Sequence, residues 1–386
     1  MPNSVLVVAG ETSGERHAAG LIRELRRRLP AGEWDFFGSG GPAMSAEGVD
    51  LLLDVSKLAA IGPIAAMAHA GSYLRLFRRI QREAVAREAR LAILVDFPDF
   101  NLPLAGRLKK AGIPVCYFIS PQVWAWRRSR VKQIARYVDL MLVIFPFEEG
   151  FYREQGVEAF YIGNPTAARL RQGGAVTAAD ESGSTVALLP GSRKKEVDLI
   201  LPVMLDAGRY LSERMKVRFL LQKAPSIQLK HLAGIVEQWK RRVNLKLDLD
   251  ICSEGSEKIL AQVDCAMVKS GTSTLEAMIL EVPFAMVYRL SWLSWVVLKP
   301  FVRTDTYCLA NLVAGETVVP EFVQWNATGP AIGRFLERIL TRPQEAARLR
   351  TRLRTATEAL GVTDAYARGA ERIFGKFLDK VKQDEN

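Results

Sequence analysis

The sequence predicts an α/β protein of two Rossmann-like domains facing across a cleft, with C-terminal helices crossing back to the first domain. Three observations carry this. The chain has 386 residues, room for two to three domains at roughly 150 residues each. Its 49% hydrophobic and 25% charged residues are ordinary globular proportions, which excludes collagen-like, low-complexity and disordered classes. Short β-branched runs alternate with helix-length segments, the mark of right-handed βαβ units around a parallel sheet.

In chain order, buried strands are predicted at 4–9, 91–95, 114–119, 139–144 and 159–162, with helices between them. The periodicity fades at 163–183 into small and polar residues, read as a linker. A second series follows at 185–189, 217–221, 244–249, 265–268 and 284–287. From Thr328 onward only helical periodicity remains. The predicted boundaries are a first domain at 1–165, a second at 184–360, and a helix at 361–386 packing on the first domain. In such folds ligands sit at the C-terminal strand ends.

Four scattered cysteines, with no Cys-x-x-Cys pair, argue against a zinc ribbon or a disulfide framework and point to a reducing cytoplasm. The N-terminus lacks the basic and long apolar regions of a signal peptide. The longest uncharged run, 58–74, has 17 residues and is broken by Gly62, Pro63, His69 and Gly71, too short to span a bilayer. The net charge is +11. Between Gly62 and Arg136, 14 Lys or Arg stand against four acids, so this segment holds most of the excess. Beside the apolar run, this suits an anionic membrane surface, or else a solvated basic face on a buried helix. The second apolar cluster, 290–298, is expected to be core.

Gly10-Glu11-Thr12-Ser13-Gly14 follows the first strand and opens a helix, where free N–H groups favour an anion or a polar sugar. A Thr12/Glu15 capping box is the competing explanation. The spacing is not the dinucleotide fingerprint, so an NAD site is disfavoured. Asp96 and Asp99 flank Pro98 just past a strand end. A carboxylate there can take a proton from an attacking hydroxyl, although Asp99 or Asn101 can equally cap the next helix. Asp96, which closes the strand, is the stronger candidate base.

Pro190-Gly191-Ser192-Arg193 makes a strand, turn and helix, with Arg193 placed in the first helical turn. A cation there makes sense if it joins backbone donors in holding a phosphate. Ser270-Gly271-Thr272 repeats the design, and Glu276, four residues after Thr272, suits a ribose diol unless a Ser273/Glu276 capping box explains it. Two such mouths in one domain suggest a nucleoside diphosphate, and the absence of a P-loop argues against a P-loop ATPase. The three histidines are scattered, so no metal site is supported and no cofactor is called for, although His17 lies near enough to the first turn to reach a phosphate.

Together these segments resemble the lipid-A-disaccharide synthase family of inverting, two-domain GT-B glycosyltransferases. The resemblance rests on 8–14, Gly40-Gly41-Pro42-Ala43-Met44, 96–101, Leu189-Pro190-Gly191-Ser192-Arg193, Ser270-Gly271-Thr272, 299–305 and above all Ser120-Pro121-Gln122-Val123-Trp124-Ala125-Trp126-Arg127. It implies transfer of 2,3-diacylglucosamine from UDP-2,3-diacylglucosamine to 2,3-diacylglucosamine 1-phosphate, giving a β-1,6-linked disaccharide 1-phosphate and UDP. By the same likeness Asp96 is the base. Ser13, Asp99 and Asn311 are expected at the substrates, while Gly191, Ser192, Arg193, Ser270, Gly271, Thr272 and Glu276 hold UDP. It also implies peripheral attachment to the cytoplasmic face of the inner membrane, with no nucleic-acid partner expected and oligomeric state left open. Glu15, Asn164 and Lys269 depart from the family pattern, where Asp, His and a small residue are usual. The rival readings are another UDP-sugar transferase or an epimerase of this fold, and a basic membrane- or nucleic-acid-binding protein.

Overall fold

The computed structural model describes residues 3–54, 70–124, 128–172, 183–298, 306–361 and 364–379. Most of the apolar run 58–74, the last three residues of the motif 120–127, and 299–305 therefore lie outside the described residues. The chain divides into two compact units, Met1–Pro165 with Thr363–Asn386, and Thr166–Val362. Each is a parallel sheet with helices, the α/β class expected.

Unit 1 holds seven strands: β1 (Asn3–Ala9), β2 (Trp34–Gly40), β3 (Asp50–Asp54), β4 (Leu91–Val95), β5 (Val115–Phe118), β6 (Leu140–Val143) and β7 (Ala159–Tyr161), in spatial order β3-β2-β1-β4-β5-β6-β7. Side chains alternate between two cores. Val5, Val7 and Ala9 pack on one face with the helix Thr12–Arg26, while Leu6 and Val8 pack on the other. Burial on both faces is why these strands read as continuous apolar runs. The first core also takes in Ala365, Ala370 and Ile373 of the helix Ala365–Ile373, so the last described helix belongs to unit 1.

Two strands of unit 1 escaped the sequence reading. Trp34–Gly40 carries glycines and polar residues, and Gly38 is required because a Cβ there would lie 1.9 Å from the Val7 carbonyl. Asp50–Asp54 is a short edge strand whose pairing slips beside Gly38.

Unit 2 holds β8 (Ser184–Leu189), β9 (Val217–Gln222), β10 (Asp248–Cys252), β11 (Cys265–Lys269), β12 (Phe284–Tyr288) and the unanticipated β13 (Glu321–Val323), ordered β10-β9-β8-β11-β12-β13. The strand expected at 244–249 begins instead at Asp248, because Asn244 adopts a left-handed conformation (φ 50°) and ends the helix Leu229–Val243. The expectation that 290–298 is core also needs correction: Trp292 and Val296, one turn apart on the helix Trp292–Leu298, are 64% and 50% exposed.

Candidate functional site

In each unit the strand order reverses at one point, where loops from neighbouring strands diverge and leave a crevice at the C-terminal ends. In unit 1 this lies between β1 and β4, and in unit 2 between β8 and β11. The turns at Gly10, Asp96, Gly191 and Ser270-Gly271 follow the four strands that flank these two places.

The loop after β4 is built around Asp96 and Phe97, both left-handed (φ 46° and 50°). Non-glycine residues rarely adopt this conformation, so the surroundings must hold it. The Asp96 amide donates to the Phe118 carbonyl at 3.0 Å. Its carbonyl accepts from Tyr117 Oη at 2.5 Å and from Asn101 Nδ2 at 2.8 Å, and the same amide nitrogen donates to the Val95 carbonyl at 3.2 Å. Asn101 is thus a buried clamp on the loop, and the cap position is Phe97, with no side-chain cap. The Asp96 carboxyl stays half-buried. Burial, reinforced by the charge of Glu11, pushes its pKa up to about 6, while a backbone hydrogen bond from Phe97 opposes the shift. Asp99 sits in the first turn of the helix Pro98–Lys110 and pairs with Arg130.

After the neighbouring strand β1, Ser13 is exposed in the first turn of the Thr12–Arg26 helix. The competing explanation, a Thr12/Glu15 capping box, is not what the structure shows: the cap residue is Glu11, and Glu15 turns away to accept from the Ala43 amide at 3.2 Å, tying the Gly40-Gly41-Pro42 turn to this loop. His17 bonds Tyr366 Oη through Nδ1 at 2.9 Å.

Sequence reasoning missed Glu148. It is fully buried at the start of the helix Pro146–Arg153, accepting from Trp124 Nε1 at 3.2 Å and the Phe145 amide at 3.1 Å, with further hydrogen bonds from Ser120 and Ile144. Burial raises its pKa to about 7, against the pull of those donors. The Ser-Pro-x-Val-Trp motif is therefore held to the ends of β5 and β6 by a buried carboxyl. The only available signal was the spacing of Glu148 after a strand. Asn164, the departure near β7, is buried and donates to the Ile144 carbonyl at 3.2 Å.

In unit 2, Gly191 (φ 108°) and Gly271 (φ 152°) form the two turns flanking the reversal. Arg193 is the N-cap of the helix Lys194–Ser212 rather than a residue of its first turn, and its side chain is 79% exposed. Ser226 Oγ donates to the Ser192 carbonyl at 2.6 Å, and Ser270 Oγ to the Tyr307 carbonyl at 2.7 Å. Thr272 is exposed at the first position of the helix Thr272–Ile279. No Ser273/Glu276 capping box forms, since Glu276 reaches Ser256, whose Oγ donates to it at 2.5 Å; burial raises the Glu276 pKa.

Asn311 is the one candidate the structure fills from within. It is buried, its amide donates to the Val319 carbonyl (2.9 Å) and Glu321 Oε1 (2.8 Å), and its Oδ1 accepts from the amides of Val318 and Val319 at 2.9 Å each. These four bonds exhaust an amide side chain. Glu321 also accepts from the Tyr307 and Cys308 amides, so Asn311 secures the segment that Ser270 contacts.

Residues 5–365 match the lipid-A-disaccharide synthetase family. Over 384 residues the chain is 37% identical to the lipid-A-disaccharide synthase of Geobacter sulfurreducens, covering 98% of this chain and 97% of that one. It is 38% identical over 380 residues to the lipid-A-disaccharide synthase of Myxococcus xanthus, with 96% and 97% covered. Among solved structures it resembles CalG4, the calicheamicin glycosyltransferase (TM-score 0.57, 13% identity, 99% of both chains). It also resembles a putative UDP-N-acetylglucosamine 2-epimerase from Listeria monocytogenes (TM-score 0.61, 11% identity, 100% of this chain and 98% of that one). At such identities these two show the shared fold, two Rossmann-like α/β units of the GT-B kind.

Proposed function

Because the chain belongs to the lipid-A-disaccharide synthetase family, and is a glycosyltransferase, we propose that it transfers 2,3-diacylglucosamine from UDP-2,3-diacylglucosamine to 2,3-diacylglucosamine 1-phosphate. The acceptor hydroxyl oxygen bonds the donor's anomeric carbon, the bond from that carbon to the diphosphate oxygen breaks with inversion, and UDP leaves. Asp96 takes the hydroxyl proton. Gly191, Ser192, Arg193, Ser270, Gly271 and Thr272 hold the departing diphosphate through backbone donors, two helix N-termini and the guanidinium, stabilising charge where it develops. Glu276 faces the ribose, Ser13 and Asp99 the sugars, and Asn311 positions the nucleotide loop. The products are a β-1,6-linked disaccharide 1-phosphate and UDP, and the enzyme works at an anionic membrane surface.

The observation that supports this reading is Asp96 itself: a half-buried carboxyl, fixed in a left-handed loop at the strand-order reversal, with a pKa near 6 that keeps it ionised yet basic near neutrality. The epimerase alternative shares the fold, whereas the full-length relatives named above are synthases. The test is mass spectrometry of products from both acylated substrates in detergent. Wild type should release UDP and a disaccharide 1-phosphate. Asp96→Asn should lower kcat by roughly 10²–10⁴ while UDP still binds. A base must be ionised, so wild-type kcat/KM should rise with pH through about 6. Near wild-type turnover in Asp96→Asn would remove Asp96 as the base.

A further inference from the structure

Lys269 ends β11 between the two glycine turns of unit 2. Its stem runs beside Gly191, where a Cβ would stand 3.4 Å from Lys269 Cδ; its Nζ lies 3.6 Å from where a Cβ of Gly271 would be. A Cβ at Gly191 would also stand 3.1 Å from Glu196 Oε2, so Lys269 and its carboxylate partner line the first turn and the ammonium lies at the second. Lys269 is 17% exposed, and its Nζ meets Glu196 Oε1 at 3.2 Å. The same oxygen takes Arg193 Nη1 at 3.1 Å. Two cations thus share a single carboxylate, itself 15% exposed.

The helices Lys194–Ser212 and Thr272–Ile279 begin at these turns without side-chain caps, adding partial positive charge. An ammonium, a guanidinium and two helix ends stand against one carboxylate; Lys269 and Glu196 are largely desolvated while Arg193 reaches solvent, so the excess positive charge faces outward where an anion can complete it. Burial lowers the Lys269 pKa, and Glu196 counters that shift.

We propose that Lys269 is a diphosphate-binding residue of this chain, with Glu196 as the counter-ion that holds it and Arg193 in place until the nucleotide arrives. The proposal rests on the UDP-binding role given to unit 2 above. On binding, the phosphate oxygens take over the ammonium and guanidinium. Glu196 then competes with the ligand rather than helping it.

Competition separates this role from a structural ion pair, because the two partners should act with opposite signs. Calorimetric titration of the full chain with UDP should show about tenfold weaker binding for Lys269→Met, partial recovery in Lys269→Arg, and binding at least about threefold tighter than wild type for Glu196→Gln. Unchanged UDP affinity in Lys269→Met, or equal losses in Lys269→Met and Glu196→Gln, overturns the proposal. If Lys269→Met does not fold, the sign of the Glu196→Gln effect decides alone. Wild type that binds no UDP would sink the functional reading and this inference with it; wild type that binds while the variants do not differ sinks only the inference.

Discussion

A Cβ at Gly10 would lie 2.1 Å from the Phe97 ring, well inside van der Waals contact. Phe97 in turn stacks on Phe100 with centroids 5.8 Å apart, and its left-handed backbone follows directly on that of Asp96. Gly10 is therefore needed less for its own backbone freedom than for the ring it admits. Gly10→Ala should push Phe97 aside and disturb the Asp96 carboxyl through the shared turn. Its expected outcome is a kcat loss on the order of tenfold, with UDP affinity, which belongs to unit 2 in our reading, unchanged. Steady-state kinetics beside UDP titration checks this, and an equal loss in both would place the damage in folding instead. Asn311 makes the complementary point: a polar residue at an expected ligand position can be fully occupied by its own loop.

At the scale of elements, Glu148 joins three parts of unit 1: the loop after β5 through Trp124 and Ser120, the end of β6 through Phe145, and its own helix. Its pKa is raised from 4.5 to about 7. The folded protein thus binds this proton more tightly than the unfolded chain. The resulting stabilisation is complete below the unfolded value and is lost as pH rises through about 7. Between pH 4.5 and 7.5 wild type should lose at most about 3 kcal/mol through this group. Urea unfolding across that range should show a shallower decline for Glu148→Gln. Parallel slopes for the two proteins would show that Glu148 does not titrate in the folded state.

Across the whole molecule, the helix Ala365–Ile373 completes the core of unit 1 although it follows all of unit 2 in sequence. Tyr366 lies against Gly20, where a Cβ would be 2.8 Å from its ring, and bonds His17. The chain passes from the first sheet to the second and returns to finish the first. No helix among the described residues is long and apolar enough to cross a membrane. In our reading the protein meets acylated substrates by resting on an anionic surface, using the charge excess between Gly62 and Arg136. Co-sedimentation with vesicles containing phosphatidylglycerol should fall several-fold between 50 and 500 mM salt, as screened attraction requires. Binding indifferent to salt would discard the electrostatic part.

The sequence by itself determined the α/β class, most of the buried strands and the strand-to-helix turns at Gly10, Asp96, Gly191 and Gly271. These are written locally: a strand buried on both faces is a continuous apolar run, and a turn into a helix needs glycine, proline or a small polar residue within a few positions. It concealed Trp34–Gly40 and Asp50–Asp54, whose glycines and acids read as loop. Only the tertiary structure decided that Glu15 ties Ala43 instead of capping its helix, that Asn311 is saturated, that Trp124 meets a buried carboxyl, and that Lys269 shares Glu196 with Arg193. Apart from the neighbouring pair Arg193 and Glu196 and the short loop around Asn311, these contacts join different elements brought close by sheet order and register, and spacing along a chain carries no record of contacts that form only when distant strands pair.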